Sequence, residues 1–368
     1  MSTVLLAGAF GQRNPGDEAL LRAFVQALPG RAIVATSVDP AGTEAAHGVH
    51  AVGSRDGRAV ARALRGCDAV VFAGGTVFKA LHPISGRHPL ALLRSALGVS
   101  TATRAMRKRL ALVGVGAGAL PGRSARSLTR AIVRRADLLV LRDEESARVL
   151  AEAGAPPPFR VGADAAWTAL DAPAQPSAQG DAVIVALSRL AGWAGLARRL
   201  ALVLAPAARA GLRVRLQPWQ LPWDLDLARS VAASLDADVE IVPPPADLAD
   251  ARNLFAGARL VVALRFHALV AAAAAGTPAV AIAHEPKLSG LGRRLGYTVV
   301  EPTGPPEPLG QAILAAADRP PASPGAVAAE RARAEEGMAL LRVVLSGGRS
   351  DESAAVGGLD LAPEAWIP

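Results

Sequence analysis

Short apolar runs of strand length alternate with amphipathic stretches of helix length, twice over, and this alternation predicts an α/β protein. The expected architecture is two Rossmann-like doubly wound domains facing a cleft. Two further observations support it. Strands separated by helices call for right-handed crossovers and parallel sheets covered on both faces. The 368 residues also exceed what one hydrophobic core normally organises.

The elements follow in order. Residues 4–9, 32–36, 69–73, 110–115 and 138–141 read as strands, with helical patterns at 19–28, 90–104 and 125–135 between them. The opening Met1-Ser2-Thr3-Val4-Leu5-Leu6 has no basic leader and too short an apolar run for a signal peptide, so it reads as a first buried strand. A Pro-, Ala- and Gln-rich stretch then reads as a linker, because it sustains neither helix nor strand. A second alternation places strands at 182–187, 212–217, 239–242, 260–264 and 279–283 and a terminal helix at 327–345. The expected domains are therefore 1–170, a linker at 171–180, 181–325, a terminal helix at 326–346 that packs back on the N-terminal domain, and a loose tail at 347–368.

Composition narrows the function classes. A hydrophobic share of 51% with 20% charged residues is that of a globular chain. Cys67 is the single cysteine, which excludes an internal disulfide and a Cys-based zinc site and suits a reducing, cytoplasmic location. Paired histidines at metal spacing and a G-x-S-x-G elbow are both missing, so no metal or cofactor is expected. The net charge of +8 is spread along the chain without basic runs interleaved with aromatics, which argues against nucleic acid. Scattered positive charge suits small anionic substrates, or a substrate at the anionic inner face of a membrane.

Three glycine-rich turns follow strands of the first half. The first reads Gly8-Ala9-Phe10-Gly11-Gln12-Arg13-Asn14-Pro15-Gly16-Asp17-Glu18; its glycines are too far apart for a dinucleotide fingerprint. Asp17 and Glu18 either cap the following helix or belong to a site. Gly74-Gly75 and Gly114-Val115-Gly116 allow a ligand or another backbone to approach, or simply make tight turns. Arg142 ends a strand and precedes Asp143-Glu144-Glu145, either as a surface ion pair or as a substrate contact.

The most informative stretch lies in the second half. Leu264-Arg265-Phe266-His267 and His284-Glu285-Pro286-Lys287 place cations and an imidazole at the ends of two neighbouring strands. Strand alternation would point Arg265 and His267 the same way. A helix starting at His267 offers free N–H groups and the positive end of its dipole to an anion, beside an imidazole of the type that serves as a general base. Only Lys79, Lys108 and Lys287 are lysine among the 40 basic residues, so a lysine kept at a strand end suggests that an ammonium is wanted there.

Gly11 to Leu21, Val71 to Thr76, Arg142 to Ser146, Asp164, Leu264 to Ala268 and Glu285 to Lys287 together resemble the polysaccharide pyruvyltransferase family, in particular its bacterial cell-wall branch. The resemblance implies a GT-B-like fold and a cytoplasmic transferase. Such an enzyme moves the enolpyruvyl group of phosphoenolpyruvate onto a sugar of a cell-wall or extracellular polysaccharide precursor, forms a pyruvate ketal and releases phosphate. It further implies His267, Asp17 and Arg265 as catalytic residues, and Arg142, Lys287, Asn14, Gly16, Glu18, Gly74, Gly75 and Glu285 as substrate-binding ones. The partners would be phosphoenolpyruvate and a glycan acceptor, lipid-linked or free, with peripheral membrane contact in the first case. Phe266 stands where the family has Leu, and His284-Glu285 where it has Tyr-Asp, a change that bears on the acceptor. The competing readings are a GT-B nucleotide-sugar glycosyltransferase and a noncatalytic glycan-binding relative; loss of Arg265, His267 or Lys287 would have favoured the latter.

Overall fold

The computed structural model describes residues 2–156, 158–170, 180–189 and 195–348. The expected linker, apart from Gly180, and the tail beyond Gly348 lie outside the described residues. The chain divides into two compact units. One comprises Met1–Gln12, Asp17–Ala169 and the chain from Glu330; the other comprises Arg13–Gly16 and Leu170–Ala329.

In the first unit, strands β1 (Thr3–Phe10), β2 (Ala32–Ser37), β3 (His50–Gly53), β4 (Ala69–Ala73), β5 (Thr76–Phe78), β6 (Arg109–Ala117), β7 (Leu138–Leu141) and β8 (Arg160–Val161) form one sheet. The order is β3-β2-β1-β4-β6-β7-β8, with β5 paired to β6, and the pairings are parallel. Helices α1 (Pro15–Ala27), α2 (Pro40–His47), α3 (Gly57–Gly66), α4 (Ala91–Ala105), α5 (Gly122–Val133) and α6 (Glu144–Glu152) make the crossovers. The central strands are apolar on both faces because both are covered: Leu5, Val70, Leu110 and Leu139 share one core with Leu64, Leu93 and Ile132. Each such side chain contributes about 1.5–3 kcal/mol by leaving water.

The second unit holds β9 (Ala182–Ala186), β10 (Arg213–Gln217), β11 (Val239–Ile241), β12 (Leu260–Ala263), β13 (Ala279–Ile282) and β14 (Thr298–Val300) in the order β11-β10-β9-β12-β13-β14, again parallel. Between them run α7 (Leu196–Arg209), α8 (Trp223–Ala232), α9 (Leu248–Ala256), α10 (Phe266–Ala275), α11 (Pro286–Arg294) and α12 (Pro306–Ala316). The alanine run of α10 is buried throughout, and the helix stops at Gly276, whose left-handed φ of 68° closes the last turn. The long helix α13 (Pro324–Leu345) starts in the second unit and continues in the first.

Both sheets reverse their strand order once, between β1 and β4 in the first unit and between β9 and β12 in the second. At such a point crossovers leave to opposite sides, and the carboxyl ends of the two strands open a crevice for ligands.

Candidate functional site

At the switch point of the second unit, Leu187-Ser188-Arg189 follows β9 and Leu264-Arg265 follows β12. The strand ends at Ala263, and Arg265 (φ −124°, ψ 136°) is the N-cap of α10, so the expected strand alternation stops there. Helix geometry instead directs the side chains: Phe266 is buried, whereas Arg265 and His267 are half-buried.

The Arg265 guanidinium is held along one edge. Its Nε donates to the Leu187 carbonyl at 2.9 Å, and its Nη2 donates to Oδ2 of Asp224. Asp224, in the first turn of α8, is itself sealed from solvent, with a side chain 1% exposed. Its Oδ1 accepts from the backbone of Arg189 at 2.9 Å, and its Oδ2 from the backbones of Trp219 and Gln220 at 3.2 and 2.9 Å. Among the described residues no protein group accepts from Nη1 of Arg265, and that nitrogen is not closed off from solvent. A guanidinium fixed at its back and open at its front suits an anion.

Register places the second loop beside the first. Ala263 pairs with Ala281, so the residues after β13 neighbour those after β12. His284 sends Nε2 to the Leu264 carbonyl at 2.9 Å. Burial depresses its pKa; the carbonyl and Glu285 oppose that, while Lys287 and Arg265 push the same way as burial. His284 is therefore a neutral donor tying the two loops together. Glu285 is the N-cap of α11 and forms an ion pair with Lys287 in that helix's first turn. His267 lies in the first turn of α10, its ring edge-to-face with Phe266 at 5.4 Å. Gly16, which counts with this unit, comes so near that a Cβ there would stand 2.7 Å from Cε1 of His267 and closer still to Nδ1. Asn14 Oδ1 accepts from the Gly16 N–H at 3.2 Å, an Asx turn that shapes the entry to α1.

In the first unit, the loops after β1 and β4 flank the other switch point. Asp17 lies in the first turn of α1. Glu18 is occupied on both oxygens: Oε1 accepts from Gly11 N–H at 2.9 Å, and Oε2 meets His47 Nε2 at 2.9 Å. Both contacts brace its loop. Gly74 and Gly75 take φ of 69° and 72°, a consecutive left-handed pair that L side chains resist; a Cβ on Gly74 would also stand 2.8 Å from Leu20.

Arg142 is engaged by the protein in the same way. Its side chain is 3% exposed, and Nε, Nη1 and Nη2 donate to Asp143 at 3.0 Å, Asp164 at 3.5 Å and Thr76 at 3.0 Å. Burial alone would raise the Asp143 carboxyl, but Arg142 and two hydrogen bonds from Ser146 hold it below the usual range. Gly116 leaves room for this guanidinium to lie across β6, since a Cβ there would stand 2.6 Å from its Cζ. Arg142 is thus not a surface ion pair but a buried brace joining β5, β6, β7 and the turn at Asp164.

The second unit therefore gathers Arg265, His267, Glu285, Lys287, Asn14 and Gly16, while Asp17, Glu18, Gly74, Gly75 and Arg142 belong to the first. Sequence reasoning missed Asp224 and Arg189. Trp219 and Gln220 are local partners of Asp224, but the two that tie it to the switch point, Arg189 and Arg265, stand 35 and 41 residues away, so no local pattern betrays that role. Arg189 carried a signal, a cation directly beyond a buried strand, and its exposed side chain sits across the switch point from Arg265. Among the described residues no cluster of three or more His, Cys, Asp or Glu is placed to hold a metal, and no helix is long and apolar enough to cross a membrane.

Comparison with known proteins adds a family and a fold. The family model for polysaccharide pyruvyl transferase matches residues 14–286, well over half of the 368-residue chain. No curated protein matches the sequence. Among solved structures, UDP-N-acetylglucosamine 2-epimerase from Rickettsia bellii aligns with a TM-score of 0.65 and 13% identity, covering 97% of this chain and 99% of that one. The complex of Anabaena Alr3699/HepE with UDP-glucose aligns at 0.61 and 14% identity, covering 93% and 99%. The S. aureus MnaA–UDP structure aligns at 0.62 and 11% identity, covering 94% and 96%. At these identities the likeness shows the fold alone, a GT-B-like pair of Rossmann-like domains.

Proposed function

The chain belongs to the polysaccharide pyruvyl transferase family, and from that premise we propose that it moves the enolpyruvyl group of phosphoenolpyruvate onto a sugar of a cell-wall or extracellular polysaccharide precursor. The product is a pyruvate ketal and the leaving group is phosphate. One observation carries this reading: Arg265, held on one edge with Nη1 open, stands at a switch point beside the first turns of α10 and α11, which bear His267 and Lys287.

Phosphoenolpyruvate has a phosphate and a carboxylate close together, which is what two cations and two helix N-termini suit. In the proposed reaction a proton adds to the methylene carbon, and C2 takes on oxocarbenium character. A sugar hydroxyl then forms the first C–O bond. The C2–O bond to phosphate breaks, and a second hydroxyl closes the ring. The C=C bond becomes C–C; one hydroxyl proton ends on the new methyl group and the other leaves with phosphate, so no oxidant or reductant is required. His267 and Asp17 are assigned these proton transfers. Arg265 and Lys287 hold the donor charges and Glu285 sets the Lys287 ammonium. Gly74 and Gly75 offer bare backbone to the acceptor, while Asn14 and Gly16 shape the loop beside His267. In this reading the enzyme is cytoplasmic and its acceptor is either free or lipid-linked, the second case bringing it to the inner membrane face.

Incubating the protein with phosphoenolpyruvate and a panel of cell-wall glycans tests the proposal. Phosphate release, matched by a glycan mass gain of pyruvic acid less one water, supports it. Tight binding of UDP-sugars without phosphate release would favour the nucleotide-sugar transferase suggested by the ligands named for the solved structures.

A further inference from the structure

Asp224 has no part in the reaction proposed above, yet four donors converge on its buried carboxylate. It accepts from three backbone N–H groups, those of Arg189, Trp219 and Gln220, and from Nη2 of Arg265. These groups come from three loops, following β9, β10 and β12. A carboxylate accepts on both oxygens and donates from neither, so this all-donor surround matches the ionised form and nothing else of that size.

We propose that Asp224 is a positioning residue for the donor site: it fixes Arg265 and the turn at Arg189 on opposite sides of the switch point, so that both cations meet the donor anion in one geometry. The inference rests on the reading that phosphoenolpyruvate is the donor. A carboxylate beside Arg265 offsets part of its charge, so a site built only to attract anions would omit it. The gain is orientation. With Nε on the Leu187 carbonyl and Nη2 on Asp224, the guanidinium plane is set before the ligand arrives and loses little rotamer freedom on binding. Asp224 touches no ligand in this account and acts through Arg265.

The Asp224→Asn variant keeps the shape but presents an NH2 group to donors on one side, which loosens Arg265. Its KM for phosphoenolpyruvate should rise about 10-fold or more while kcat stays within about 3-fold, the pattern of lost uniform binding. In an Arg265→Ala background the same change should add less than about 2-fold, because the residue through which it acts is gone. A purely structural role would instead lower the melting temperature and add the same factor in both backgrounds. Should Asp224→Asn fail to fold, Asp224→Glu keeps the charge and moves it by one methylene, with the same expected rise in KM. Wild-type protein that binds phosphoenolpyruvate, together with variants whose KM stays within about 2-fold of it, would overturn the inference and leave the function standing. Wild-type protein that neither binds nor turns over phosphoenolpyruvate would overturn both.

Discussion

Gly16 lies against the imidazole of His267 so closely that no side chain fits between them. The Asx turn from Asn14 fixes this approach, and the packing confines the ring. An alanine inside a helix is normally worth up to about 1 kcal/mol over glycine. Gly16→Ala is expected to reverse that sense for function: the new methyl group displaces the ring, and kcat/KM falls about 10-fold or more, since small misplacements of a reacting group are costly. Turnover measured beside a melting curve checks this; unchanged turnover would show that the contact does not confine His267.

His267→Ala should lower kcat by about 10²–10⁴, the usual contribution of a positioned acid or base, with a smaller change in donor affinity. Single-turnover phosphate release combined with a binding titration separates the two effects. Retained turnover would remove His267 from the chemistry.

Arg142→Met should act on stability and leave donor affinity alone. Removing the guanidinium strands Asp143 and Asp164 in the interior, and breaking a buried pair from one side costs about 3–5 kcal/mol. Urea unfolding reads the loss. A folded variant with a weakened affinity for phosphoenolpyruvate would return Arg142 to the ligand.

His284 gives the fold an acid-side sensitivity. Its native pKa lies below the ordinary value of 6.5, chiefly because of burial, so below that pH the unfolded chain binds more protons than the native one. Stability is full above 6.5 and is lost as pH falls from there through the native pKa. His284→Gln, which keeps a donor for the Leu264 carbonyl, should flatten the fall of melting temperature between about pH 7 and 5. An identical pH profile in both proteins would place the sensitivity elsewhere.

Cys67 is 2% exposed, and burial raises its thiol pKa against the pull of Lys108. A thiol reagent should therefore label it slowly in the native protein and fast in denaturant. Equal rates would mean that this corner of the first unit opens readily.

The sequence made the fold legible where burial on both faces forces continuous apolar runs. Central strands such as β4, β7, β12 and β13 stand close to where the apolar runs put them. Short or edge strands escaped: β3 (His-Ala-Val-Gly) and β14 have few buried positions, and β5 is three residues beyond a glycine turn. At the site, the neighbouring strand ends pointed to Arg265, His267 and Lys287 together. The sequence could not tell an open arginine from a closed one. Arg142 and Arg265 each end a strand ahead of a helix, yet the first is enclosed by Thr76, Asp143 and Asp164 and the second is tied only at its back. That difference comes from residues up to 78 positions away, which no local pattern encodes.

The most direct measurement is a calorimetric titration of phosphoenolpyruvate into the wild-type protein and into Arg265→Ala and Lys287→Ala, with a UDP-sugar titrated in parallel. The account predicts that phosphoenolpyruvate binds the wild type and that each substitution weakens binding about 10-fold or more, as expected for a lost charge-assisted contact. Equal binding to all three proteins, or binding of the UDP-sugar alone, would contradict it.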